Sequence, residues 1–138
     1  MELSRRLHRA GAVSDLMQFY HAAFNREFLE STSVGGDLAL PHVRLPGLAR
    51  LVFALGRSAE PIQWTGAPRH AVRWVILAAV PASNLADYLA LLAAVARVAQ
   101  ESAFRAGLNA AADAAEILAL LRNVPLKHVP AVPHAVLV

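Results

Sequence analysis

Residues 72–80, Val-Arg-Trp-Val-Ile-Leu-Ala-Ala-Val, constrain the fold more than any other stretch. The run is almost continuously apolar and is stopped by Pro81. A strand without a polar face has to be covered on both sides, so it belongs at the centre of a sheet with helices packed against it. It is too short to cross a bilayer, and it carries Arg73.

The flanking pattern supplies the helices. Leu3, Leu7 and Ala10 form a short helical stripe that ends at Gly11. Ser14 is the expected cap of a second helix, with Leu16, Phe19, Tyr20, Ala23 and Phe24 on its buried face, fading near Leu29. After Pro81, Ser83 is the expected cap of a long helix over 84–100, with Leu85, Tyr88, Leu89, Leu92 and Val95 inward. Two shorter helices are expected over 103–107 and 111–121, the latter burying Ile117, Leu118 and Leu121. Residues 31–37 read as a Ser/Gly turn and 38–40 as a short buried strand. Pro46-Gly47 marks a turn, and 50–55 reads as a strand closed by Gly56-Arg57-Ser58. A small edge segment is expected at 62–64, then a turn at Gly66-Ala67-Pro68. Pro125, Pro130 and Pro133 break up the tail, where 135–138 can still form a strand. The expected architecture is a single α/β layered domain, a mixed central sheet flanked by helices, over 1–124 with a proline-rich tail over 125–138.

Composition narrows the function classes. The 138 residues suit one domain. There is no cysteine, which excludes disulfides, thiolate nucleophiles and thiolate metal sites. The net charge of +3 is spread out, with no basic stripe of the kind that grips nucleic acid. The charged N-terminus (Glu2, Arg5, Arg6) does not read as a secretion signal, and no apolar run reaches membrane length, so a cytoplasmic protein without membrane insertion is expected. His8, His21, His70, His128 and His134 have no metal-ligand spacing, and no metal or cofactor is implied. Trp64 and Trp74 read as core or edge packing.

The chemistry concentrates between Asn25 and Arg44. There Arg26-Glu27, Ser31-Thr32, Val34-Gly35 and Leu38-Ala39-Leu40-Pro41-His42 stand in series. Together they resemble the enzyme IIA domain of the fructose/mannitol and nitrogen-related class of the bacterial phosphoenolpyruvate-dependent phosphotransferase system. The resemblance covers about 14–123, and the family's lead-in is longer, so the first helix reads as shortened. It implies that His42 accepts a phosphoryl group from the phosphocarrier HPr and that Arg26 supports it. It also implies an HPr-like partner, a downstream regulatory partner or IIB domain, and phosphohistidine phosphotransferase activity. A stand-alone chain of this kind points to nitrogen-related regulation rather than sugar uptake.

The residue chemistry agrees. Neutral imidazole is the nucleophile in phosphoryl transfer, and a neighbouring cation disfavours imidazolium. That cation also balances the phosphoryl charge. Pro41 stiffens the approach to His42. Ser31, Thr32 and the backbone N–H groups at Gly35 and Gly36 are candidates to receive phosphoryl oxygens. Three departures from the family pattern carry their own expectations. Val43 replaces a small residue and would crowd the site. Asp37 replaces a turn glycine and would add negative charge. Tyr88 stands where a second histidine is usual. These motivate an alternative: a IIA-like interaction or sensor module without phosphotransfer, or a fragment of a larger transporter or regulator. His42 is expected in a shallow exposed depression, with Arg26 and a Ser or Thr hydroxyl around it.

Overall fold

The computed structural model describes residues 1–64, 71–125 and 135–137. The expected turn at Gly66-Ala67-Pro68, together with His70, His128, Pro130, Pro133, His134 and Val138, lies outside the described residues. Elements run in the order α1 (Glu2–Arg9), α2 (Leu16–Leu29), β1 (Ser33–Gly35), β2 (Leu38–Ala39), β3 (His42–Leu45), β4 (Val52–Gln63), β5 (Ala71–Pro81), α3 (Leu85–Gln100), α4 (Ser102–Ala110), α5 (Ala114–Arg122) and β6 (Ala135–Leu137). The α/β architecture with a mixed sheet is as the sequence indicates.

The apolar run 72–80 is the sheet's centre. β5 has β2 and β3 parallel to it on one side and β4 antiparallel on the other. β2 and β3 meet β5 at the same offset of 36 residues (38 to 74, 42 to 78). They are one strand position interrupted at Leu40-Pro41, because proline has no N–H to give the ladder. β1 pairs antiparallel with β2, and β6 pairs parallel with β4. The tail therefore contributes a strand to the sheet.

The pleat of β5 sends alternate side chains to opposite faces. Trp74, Ile76, Ala78 and Val80 meet Leu91, Val95, Ala99, Leu108 and Ile117 of α3–α5. Leu77 and Ala79 meet Leu7, Phe19 and Ala23 of α1 and α2. Register then assigns faces on β3. His42, opposite Ala78, looks toward α3, and Val43, opposite Ala79, looks toward α1 and α2.

Several sequence expectations change. The cap of α2 is Asp15, whose carboxylate accepts the Gln18 N–H at 2.9 Å, not Ser14. The cap of α3 is Asn84, accepting from Asp87 N–H at 3.1 Å, not Ser83. In each case an equally good capping residue stands one position later. The 31–37 turn contains the strand β1, and its tight part is Gly35-Gly36-Asp37, all with positive φ (86°, 59° and 62°). The strand from Val52 does not stop at Gly56 but continues to Gln63, absorbing 62–63, with an irregularity in register between Arg57 and Ile62. The inward face of α2 is Phe19, Ala23 and Glu27, while Phe24 is 55% exposed. In α3 the buried side chains are Leu91, Ala94, Val95, Val98 and Ala99, with Leu85 and Leu89 exposed. These two helices are apolar over more than one stripe, so periodicity did not select a single face. In α5 Ile117 is buried, and Leu118 and Leu121 are only partly so. Among the described residues no helix is long and apolar enough to cross a membrane.

Candidate functional site

His42 opens β3 directly after the Leu40-Pro41 interruption, so its ring is set by a strand on one side and a proline on the other. Its Nδ1 lies 2.9 Å from the Leu40 carbonyl oxygen. A carbonyl can only accept, so Nδ1 carries the proton and donates it. In the neutral ring Nε2 therefore holds the lone pair. The Tyr88 hydroxyl, 3.1 Å away, donates to it from the first turns of α3. The two rings lie 5.2 Å apart in a tilted arrangement. The neutral ring thus has its tautomer fixed by the Leu40 carbonyl and its other nitrogen covered by one hydroxyl.

The expected exposed depression is not what surrounds this ring. His42 is 7% exposed, because α3 lays Tyr88 across it. Nor does Val43 do the covering. Val43 is buried on the opposite face of the sheet, among the residues of α1 and α2. The expected crowding by Val43 is corrected by strand alternation, which points consecutive side chains to opposite sides.

Arg26 sits in the last turn of α2, where its guanidinium donates to the Glu30 carbonyl at 3.0 Å and lies 3.6 Å from the Glu30 carboxylate. Among the described residues no hydrogen bond or ion pair joins it to His42. Ser31 and Thr32 follow closely, and Thr32 lies beside the histidine's own segment: its carbonyl accepts the Leu40 N–H at 2.9 Å. The Thr32 hydroxyl donates to the buried Glu27 carboxylate, so its proton is already committed. Ser31 Oγ accepts from the Ser33 N–H at 3.3 Å.

Gly35 and Gly36 are placed elsewhere. They turn β1 into β2 at the far end of the sheet position, where Leu38 is four residues, about 13 Å, from His42. A side chain at Gly36 would strike the Ala99 carbonyl and Arg105, and one at Gly35 would meet Gln100. Ala99 and Gln100 lie at the C-terminal end of α3, about 16 Å along the helix from Tyr88. These glycines let the β1–β2 turn approach α3 and α4 closely, and they are remote from the His42 ring. Asp37 shares that turn. It is exposed, and its carbonyl accepts from Arg73 and Trp74 N–H, so its charge is not at His42.

Arg44 was missed. It lies two residues beyond His42 and hence on the same face of β3. Its guanidinium stands 6.0 Å from the centre of the Tyr88 ring and donates to the Ala82 carbonyl at 2.7 Å. Period-two alternation from His42 was the signal that would have found it. Around this group, exposed Leu85 and Leu89 flank Tyr88 on α3.

Residues 1–124 match the family described as phosphoenolpyruvate-dependent sugar phosphotransferase system, EIIA 2. Over 121 residues the chain is 31% identical to the 2-O-alpha-mannosyl-D-glycerate-specific EIIABC component of Escherichia coli, covering 86% of this chain but only 18% of that protein. It is 31% identical over 106 residues to a nitrogen regulatory protein of Bradyrhizobium diazoefficiens, covering 77% of this chain and 69% of that one. Its fold superposes on the nitrogen regulatory protein IIA-Ntr of Neisseria meningitidis with a TM-score of 0.75 at 26% identity, over 83% of this chain and 78% of that one. This chain belongs to the EIIA 2 family of the phosphoenolpyruvate-dependent sugar phosphotransferase system.

Proposed function

We propose that this chain is a phosphoryl carrier whose acceptor is His42 Nε2, charged by an HPr-like phosphocarrier and used for nitrogen-related regulation rather than sugar uptake. One observation carries the reading: Nδ1–H is tied to the Leu40 carbonyl, which leaves the Nε2 lone pair as the ring's nucleophile. In the transfer, Nε2 forms the bond to phosphorus as the donor's bond to it breaks, the electron pair leaving with the donor. Nδ1 keeps its proton throughout, so no base has to remove one. Tyr88 must first give up Nε2, and its hydroxyl is then placed to donate to a phosphoryl oxygen instead. Arg44 supplies positive charge on the same face, and Arg26 joins it only if it leaves Glu30. The exposed Leu85 and Leu89 beside Tyr88 suit the docking of a partner over the ring.

The nitrogen-related assignment is supported by the likeness to two nitrogen regulatory proteins, one in sequence from Bradyrhizobium diazoefficiens and one in fold from Neisseria meningitidis. A cytoplasmic location and a downstream regulatory protein or IIB-type partner follow from the same reading.

A second reading is favoured by the burial of His42 at 7% exposure with Nε2 already bonded: a IIA-like interaction module that no longer turns over. One experiment separates the two. The chain is incubated with phosphoenolpyruvate, enzyme I and a cognate HPr, and its intact mass is followed. The carrier reading expects one acid-labile phosphoryl group on the wild type and none on His42→Ala. An unmodified wild type selects the module.

A further inference from the structure

We propose that Glu27 is a positioning residue for His42, acting through Thr32 and Leu40. Its consequence for transfer rate rests on the carrier reading above, but its consequence for the His42 ring does not.

Glu27 occupies the third inward position of α2, after Phe19 and Ala23, where the 19–23–27 spacing calls for an apolar side chain. It is 8% exposed. A carboxylate there is costly unless its oxygens are well satisfied, and packing alone would be served better by leucine. Its oxygens are satisfied by Thr32, whose backbone N–H lies 3.0 and 3.1 Å from the two of them and whose hydroxyl donates to one. The helix thus reaches five residues forward and clamps the segment between Leu29 and Ser33.

That clamp falls where the sheet is weakest near the site. Between β2 and β3 the ladder is interrupted, and Pro41 has no N–H to contribute. The Leu40 N–H is held instead by the Thr32 carbonyl at 2.9 Å, and the Pro41 carbonyl accepts from Ala78 at 2.9 Å. The Leu40 carbonyl, so fixed, accepts the His42 Nδ1 proton. Glu27, Thr32, Leu40 and His42 form one chain of hydrogen bonds ending on the nitrogen that decides the tautomer. Glu27 also lines the same cleft as Pro41, on the opposite side of the strand from the ring. If the clamp loosens, the Leu40 carbonyl moves, the proton is shared between Nδ1 and Nε2, and the reactive lone pair is present in fewer molecules.

The test uses the full chain labelled with nitrogen-15 and long-range proton–nitrogen spectra of the imidazoles. Wild-type His42 is expected to show a protonated Nδ1 and an unprotonated Nε2. Glu27→Gln and Thr32→Val are expected to move both nitrogens toward the tautomer average and to slow phosphorylation about twofold in kcat at unchanged KM, as the share of rings with a free Nε2 lone pair falls to about half. Thr32→Ser, which keeps both donors, should restore the wild-type shifts and rate. Phe19→Leu, on the same helix but outside the chain of bonds, should lower thermal stability and leave the His42 shifts unmoved. Should Glu27→Gln fail to fold, Thr32→Val carries the test. A folded Glu27→Gln or Thr32→Val protein with wild-type His42 nitrogen shifts overturns the proposal. Shifts that move in the variants of a chain that takes no phosphoryl group uphold the positioning role and sink the carrier reading.

Discussion

At the scale of single residues, the charge around His42 is arranged differently from what spacing suggests. Arg26, sixteen positions upstream, is engaged by Glu30, whereas Arg44, two positions downstream, shares the ring's face and lies over Tyr88. Arg44→Ala should therefore slow phosphorylation of His42 about fivefold at low salt, the effect of losing an exposed charge worth roughly 1 kcal/mol. The deficit should shrink as salt is raised, since screening removes what the substitution removes. Phosphorylation rates of the two proteins at several ionic strengths check this; an equal deficit at all salt concentrations points to a steric role instead. The histidine itself was legible from the Leu-Ala-Leu-Pro-His run. Arg44 was not, because the family's spacing points upstream to Arg26 whereas strand alternation points downstream.

At the scale of elements, α3 connects two regions with different duties. Its N-terminal turns bring Tyr88 to His42, and its C-terminal end receives the Gly35-Gly36-Asp37 turn. Gly36 has φ of 59°, and the Ala99 backbone carbonyl occupies the place a side chain would take. Gly36→Ala should lower stability by about 2 kcal/mol or more, from backbone strain plus a clash that only backbone movement relieves. It should leave phosphorylation of the remaining folded protein within twofold of wild type. Denaturant unfolding and intact-mass kinetics on one sample check both halves. A large loss of phosphorylation in a stable variant would return these glycines to the phosphoryl site. The sequence suggested that place because backbone N–H groups of a Ser/Gly turn can receive phosphoryl oxygens. It could not show that an intervening strand carries them to opposite ends of α3.

For the whole molecule, the sheet is built outward from β5, and its last strand comes from the tail. β6 covers the edge of β4 at Phe53, Ala54 and Leu55, three residues buried in the two cores. Deleting 126–138 should lower the melting temperature by roughly 5 °C and promote association, because it bares a β4 edge able to pair with another chain. Scanning calorimetry and size-exclusion chromatography of the truncated protein check this. An unchanged melting temperature would make the tail an appendage, as a proline-rich composition suggests on its own.

The sequence by itself determined the central strand, the number and order of the helices, the caps of α2 and α3 to within one position, and the segment that carries His42. All of these follow from local pattern: apolar continuity, helical spacing, proline and glycine punctuation, and a short motif. Only the tertiary structure decided where the motif's residues stand and what they touch. Whether Val43 crowds His42, whether Gly35 and Gly36 stand beside it, and which hydroxyl meets Nε2 depend on strand register and on where α3 lies across the sheet. Those contacts join residues 27 to 32, 32 to 40 and 42 to 88. They arise from packing, to which one-dimensional spacing is blind. The same packing buries Glu27 and joins it to Thr32, a contact that the motif's spacing does not show.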